Sequence, residues 1–203
     1  LNKHKINIKS LMEYIKNFKK LNICVLGDLI VDEYISCVPL GMSHEDPSLV
    51  LNPTNSSKFL GGSGIVAAHA ANLGAKVNLI SVVGNDENSK FCKKKLTDYK
   101  VKHTLFTDNL RPTILKQRFN TKTKTHLKVS FLNQTSIETK IQKNIFNHFK
   151  KIIKKIDILV FSDFNYGCLP QNLIDKIINE AKKHNVFIVA DSQSSSQVGN
   201  ISR

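Results

Sequence analysis

Apolar residues recur at helical spacing through "IKSLMEYIKNFKK", which predicts an amphipathic helix over residues 8–20, inside a leader spanning residues 1–20. "NICVLGD" is a short apolar run closed by Gly27 and Asp28, a buried strand and its turn. "GIVAAHAANLG" is a helix of small residues, stopped by Gly74. "KVNLISVVG" predicts the next strand and "NSKFCKKKLTDY" the next helix. "PTILKQRF" and "THLKVSFL" lean to strand, with Lys, Thr and Asn between them, and predict a hairpin over about residues 112–133. A long helix follows in "SIETKIQKNIFNHFKKIIKKI", then a strand in "DILVFSD". "PQNLIDKIINEAKKHN" is a helix with Pro170 near its start, and "VFIVAD" is a strand. Strands alternating with helices imply an α/β fold, a mostly parallel sheet with crossover helices.

Three of these strands end in an acid: Asp28, Asp163 and Asp191. Ligands of open α/β sheets bind beyond the carboxyl ends of the strands, so topology alone gathers the acids on the edge where a site is expected. The competing reading is that each caps the helix after it.

Gly62-Ser63-Gly64-Ile65-Val66-Ala67 fits the G-x-G-x-x-A dinucleotide pattern, with Asp86 downstream. That pattern belongs directly after a buried strand, whereas "NSSKFL" is polar and short. Asp86 caps a helix as plausibly as it grips a ribose. A Rossmann domain binding NAD is therefore the weaker reading. Adjacent glycines at a turn into a helix let backbone approach a hydroxylated or anionic ligand. They also suit a tight turn with close helix packing.

Composition narrows the partners. A chain of 203 residues, 41% hydrophobic, supports one domain with at most a small appendage. No apolar run is long enough for a membrane helix and no signal peptide is evident, so a cytoplasmic protein with no membrane partner is expected. The sequence begins at Leu1, which suggests a piece of a longer chain. Cys24, Cys37, Cys92 and Cys168 lack C-x-x-C spacing and read as ordinary buried positions, with no metal site. The net charge of +14 is spread along the chain. It fits a compositional bias first, an anionic small substrate second, and nucleic acid least, since no basic strand is interleaved with aromatics.

"VLGDLIVDEY", "FLGGSGIVAAHAANLGAKVNLISVVGND", "TILKQRF" and "ILVFSDFNYGCL" together resemble the PfkB/ribokinase family of carbohydrate kinases. They are most similar to its heptose 7-phosphate kinase branch, the kinase part of ADP-heptose synthases. The resemblance implies a ribokinase-like sheet flanked by helices, with a small β-sheet lid that accounts for the hairpin at 112–133. It implies ATP and Mg2+ as cofactors and a sugar phosphate as substrate. By similarity, Asp32 accepts hydrogen bonds from sugar hydroxyls, Asp28 shares that task, and Asp163 lies at the same edge. Gly61 and Gly62 bring backbone to the sugar, and Lys116 and Arg118 meet the substrate phosphate. The alternative for these two cations is a solvated strand face in a lysine-rich chain.

Two positions depart from the branch. Ile65 stands where Asn is usual, and Tyr166 stands before Gly167 where Lys is frequent. No Gly-Ala-Gly-Asp-like segment, which carries the family's catalytic base, occurs in the 203 residues. The resemblance therefore puts that base, in a Gly-x-Gly-Asp motif, beyond Arg203, together with most of the ATP pocket. The expectation is an N-terminal, lid-bearing portion of a kinase (residues 21–203) that binds sugar but does not turn over alone. Such a piece should also expose an apolar sheet edge. A non-catalytic sugar-binding module is the alternative. The branch further implies a fused nucleotidyltransferase domain, and the family implies a homodimer paired through the lid.

Overall fold

Two sheets of different character share the nine strands of the computed structural model, which describes residues 7–192. The first six residues of the expected leader lie outside the described residues. So does the stretch from 193 to Arg203, the residue beyond which the catalytic base is expected. The central sheet is wholly parallel. It contains β1 (Asn22–Gly27), β4 (Lys76–Val83), β5 (Lys102–Thr107), β8 (Ile158–Asp163) and β9 (Phe187–Ser192), in the order β5-β4-β1-β8-β9. The smaller sheet is mixed. It contains β2 (Leu29–Met42), β3 (Leu49–Gly62), β6 (Ile114–Asn120) and β7 (Thr125–Phe131), in the order β3-β2-β6-β7. Here β2 pairs parallel with β6, and the other two pairings are antiparallel.

Helices cover both faces of the central sheet, as a parallel sheet requires. Alternation along β1 divides the core in two. Cys24 and Leu26 pack with Ile145 and Phe149 of α4 (Thr139–Ile152) and with Leu173 and Ile177 of α5 (Gln171–Lys183). Val25 packs on the other side with Ala67 of α2 (Ser63–Asn72) and Leu96 of α3 (Glu87–Asp98). The amphipathic α1 (Ile8–Phe18) begins with a capping box at Asn7 and buries none of its residues. Among the described residues, no helix is long and apolar enough to cross a membrane.

The hairpin expected at 112–133 forms as β6 and β7, but it is only half of the small sheet. The other half is the ribbon of β2 and β3, each 14 residues long, which hydrophobic periodicity does not announce. Most of β3 is polar and exposed, so its state is set by the ladder to β2 that runs from Leu29↔Gly62 to Met42↔Leu49. β5 is likewise hidden in the sequence, because an edge strand half-buried along its length has no clear alternation. Among the described residues the apolar run of β9 lies at the edge of the central sheet, with Phe187 and Val189 exposed, and Asp191 lies exposed within it.

Candidate functional site

The chain leaves β1 at Gly27, turns at Asp28 and enters β2 directly, with no helix between. Along β2, Ile30, Asp32 and Tyr34 fall on one face. Register then sets the neighbours: Ile30 lies beside Gly61, Asp32 beside Phe59 and Lys116, and Tyr34 beside Arg118. Residues two apart on three strands thus share a face, and that face walls a cavity of about 710 Å³. Five expected site residues stand in its wall: Asp32, Gly61, Gly62, Lys116 and Arg118.

Arg118 donates from Nη1 to Asp32 Oδ1 at 2.5 Å, and its guanidinium lies 5.1 Å from the Tyr34 ring centroid. Burial works against the Arg118 charge, but the Asp32 carboxylate more than offsets it and holds the guanidinium above its ordinary pKa. Lys116 Nζ sits 4.8 Å from the Tyr166 ring centroid and 5.4 Å from that of Phe164. These two rings stack with centroids 6.4 Å apart. A cation therefore reaches the neighbourhood of Tyr166 from β6, although none precedes Gly167.

The two glycines differ in what a side chain would meet. A Cβ on Gly61 would run into Asp32 Oδ2, and one on Gly62 would run into the Asp28 carbonyl oxygen. Gly62 has φ +55° and serves as the N-cap of α2, with no side-chain cap on the helix amides. Gly62 and Ile65 are both in the cavity wall, so α2 starts at the cavity. A helix start of this kind suits hydroxyl or anionic oxygens. Ile65 adds an apolar surface there and no hydrogen-bonding group.

Asp28 and Asp163 are not in that wall. Asp28 is buried, and its Oδ2 accepts from the amides of Phe164 (2.8 Å) and Tyr166 (3.3 Å) while Oδ1 accepts from Cys168 N at 3.3 Å. It thereby holds the loop that carries Phe164 and Tyr166. Asp163 is also buried, accepting from Asn165 N at 2.9 Å and from the Ser192 hydroxyl at 3.4 Å. Burial pushes the Asp28 carboxyl up from 3.8 to about 6, with the nearby Asp163 charge adding and the three amide donors opposing. Since the folded-state pKa is the higher one, the native chain keeps its extra proton between about pH 4 and 6 and loses stability as pH rises through that window. The difference corresponds to about 3 kcal/mol. Asp28→Asn, a neutral isostere, should remove this component: urea unfolding of the parent chain, measured against the variant, should lose that advantage between pH 4 and 7. Parallel pH profiles for the two proteins would refute the assignment.

Sequence reasoning missed Arg111. Its Nε donates to Asp108 Oδ2 at 2.8 Å, Nη2 to Thr135 O at 2.9 Å and Nη1 to Tyr166 O at 3.3 Å, all from a nearly buried side chain. Arg111 and Asp28 thus hold the same loop from two sides. The only local signal was the i, i+3 spacing of Asp108 and Arg111. Tyr34, which lies under Arg118, was legible in "DEY" as the residue two beyond Asp32. Asp86 resolves as the N-cap of α3, accepting from Ser89 N at 2.8 Å and from Thr113 N at 2.7 Å. The glycine turn follows β3, a strand of the small sheet, whereas a dinucleotide fingerprint follows a strand of the parallel core. Among the described residues, no group of three or more His, Cys, Asp or Glu side chains is placed to hold a metal.

A parallel α/β sheet thus carries a small sheet at its carboxyl edge, and an acid, a glycine turn and two cations share one cavity, a combination suited to a hydroxylated, anionic ligand. The chain belongs to the pfkB family of carbohydrate kinases, whose pattern it matches over residues 20–202. It is 34% identical over 176 residues to "Bifunctional protein HldE" of Aliarcobacter butzleri, covering 85% of this chain and 37% of that protein. The corresponding protein of Helicobacter hepaticus is 32% identical, with 85% and 36% covered. The chain thus spans little more than a third of the length of these relatives. Among solved structures, phosphofructokinase-2 from Escherichia coli in complex with fructose-6-phosphate superposes with a TM-score of 0.67 at 16% identity, covering 87% of this chain and 56% of that one. A carbohydrate kinase from Agrobacterium tumefaciens gives 0.63 at 17% identity, with 84% and 53% covered. These two likenesses establish the ribokinase-like fold.

Proposed function

We propose that the chain is the sugar-phosphate-binding, lid-bearing part of a kinase that phosphorylates a hydroxyl of a heptose phosphate or a related sugar phosphate. One observation carries this reading: Asp32, the Gly61–Gly62 turn, Lys116 and Arg118 line one cavity. A carboxylate suits hydroxyl donors, a side-chain-free turn suits close approach of a ring, and a guanidinium suits a phosphate bidentately. Asp32 accepts hydroxyl hydrogens on the oxygen not occupied by Arg118. Arg118 and Lys116 neutralise the substrate phosphate from the lid side. The heptose assignment follows the motif resemblance.

ATP, when bound, supplies the phosphoryl group, and Mg2+ neutralises its charge. The catalytic base is expected beyond Arg203, in a Gly-x-Gly-Asp segment that the 203 residues do not contain. This stretch alone should therefore bind sugar phosphate without turnover. We assign a nucleotidyltransferase activity to a further domain of the longer protein, in keeping with the word bifunctional in the relatives' name. We place the protein in the cytoplasm, where ATP is the phosphoryl donor. The outer lid exposes Val38, Leu40, Met42, Leu49 and Val50, a surface suited to a homodimer paired through the lid. The second reading, a non-catalytic sugar-binding module, draws on Ile65, which removes a hydrogen-bonding group from the wall.

The test is calorimetric titration with heptose 7-phosphate, ATP and NAD in turn. Saturable heat with heptose 7-phosphate that Asp32→Ala abolishes is the expected result, and Asp32→Ala should leave any heat with ATP unaltered. NAD binding with no response to the sugar phosphate would sink the proposal.

A further inference from the structure

A second cavity, of about 430 Å³, opens at the amino edge of the central sheet. It lies at the far end of β1 from the lid cavity, about 20 Å away along a six-residue strand. Lys76 at the start of β4, Lys102 at the start of β5, Lys100 in the turn before it, and Lys151 and Lys155 from the end of α4 and the short 3-10 turn that follows all line it. We propose that this cavity is an anion site for a compact oligophosphate, separate from the sugar site and independent of the reading given to it.

Three observations carry this inference. First, five lysines from five parts of the fold line one concavity whose wall, among the described residues, contains no carboxylate. Asp157, next to the wall, is already engaged: its Oδ2 accepts from Asn22 N at 2.7 Å and Asn22 Nδ2 at 2.9 Å. Both donors are neutral, so one carboxylate charge stands against five ammonium charges; the excess of like charge repels, and a bound anion relieves that repulsion. Lys151 also suits the negative end of α4, but that does not account for Lys76, Lys100 or Lys102. Second, Asn78 is in the same wall with a buried amide oxygen that has no hydrogen-bond partner. The same amide carries an NH2 group, a donor suited to an anion at this wall. Third, the field of these lysines is felt nearby. His148, hydrogen-bonded to Thr104 at 3.1 Å, is held below its ordinary pKa by burial first and then by the charges of Lys151 and Lys102.

The cavity is pocket-sized, which suits a short phosphate chain or the phosphate tail of a nucleotide. Among the described residues its wall holds no aromatic side chain on which the bases of a nucleic acid could stack.

The probe is tripolyphosphate, titrated into the 203-residue chain at physiological ionic strength and followed by amide nitrogen–proton shifts and the His148 ring protons. Saturable shifts should appear at Asn78, Lys102 and Lys151, and the His148 pKa should rise toward its ordinary value. Lys102→Gln combined with Lys151→Gln should weaken binding at least about tenfold. Lys90→Gln with Lys94→Gln, the same charge change on exposed positions of α3, should leave it unaltered. All four positions are exposed, and circular dichroism checks that the variants stay folded. Adenosine triphosphate competing at these residues would identify a nucleotide tail as the source, and failure to compete would identify a free oligophosphate. Equal weakening by both variants, shifts spread over lysines generally, absence of saturation, or tighter binding of single-stranded DNA that displaces the probe would each overturn the proposal.

Discussion

Asp32→Asn should weaken sugar-phosphate binding about 100-fold while leaving the fold almost unchanged. The substitution keeps the shape and removes the charge. A hydrogen bond to a charged acceptor contributes about 1.5–3 kcal/mol against about 1 kcal/mol for a neutral pair. Losing that excess for two sugar hydroxyls costs about 3 kcal/mol, or about two decades in Kd. The pair with Arg118 is itself a small part of stability. Asp32 keeps 21% and Arg118 25% of its side-chain surface exposed, and pairs open to water contribute about 0–1 kcal/mol. Calorimetric Kd and thermal midpoint should therefore separate, with a large change in the first and a small one in the second. A change in Kd of less than about threefold would remove Asp32 from the sugar site.

Gly62→Ala should produce the opposite separation. Gly62 has φ +55° and ψ −137°, a region that side chains with a Cβ hardly enter. The added methyl would also meet the Asp28 carbonyl oxygen, which is backbone and already accepts from Ser63 N at 2.9 Å. Neither partner can swing away. Strain and overlap together should cost about 3–5 kcal/mol, lowering the thermal midpoint by on the order of 10 °C. Gly61→Ala is the informative neighbour. Its methyl would meet the tip of the Asp32 side chain, which rotates at little cost to the fold. Displacing that carboxylate should reduce sugar-phosphate affinity about tenfold with a midpoint shift of only a few degrees. Equal midpoint losses in the two variants would contradict this division of roles.

Much of the architecture is legible because its signals are local. β1, β4 and β8 are apolar runs bounded by glycine or acid, and α4 and α5 carry clear helical stripes. Gly61, Gly62 and Asp32 can be singled out because a paired-glycine turn and an acid just past the first strand are visible in a few residues. Lys116 and Arg118 come from the resemblance, and two-residue spacing on β6 puts both on one face.

Other features depend on partners far away in the chain. The β2–β3 ribbon is specified by its ladder more than by side-chain alternation, since β3 is polar along most of its length. Arg118 finds Asp32 across 86 residues, and Cys168 finds Asp28 across 140. That second contact makes Asp28 a buried holder of the 164–168 loop, although its place at the end of β1 reads like that of a ligand acid. The lysine cavity is the clearest case. Lys76, Lys102 and Lys155 look like scattered charge in the sequence, and only the parallel register of β4 and β5, with α4 packed beside them, brings them to one concavity. The sequence alone determined the catalogue of chemical groups and most elements, though not β2, β3 or β5, because backbone preference and hydrophobic period act over a few residues. The tertiary structure decided which groups meet, because strand register and helix packing bring residues together without regard to their separation along the chain.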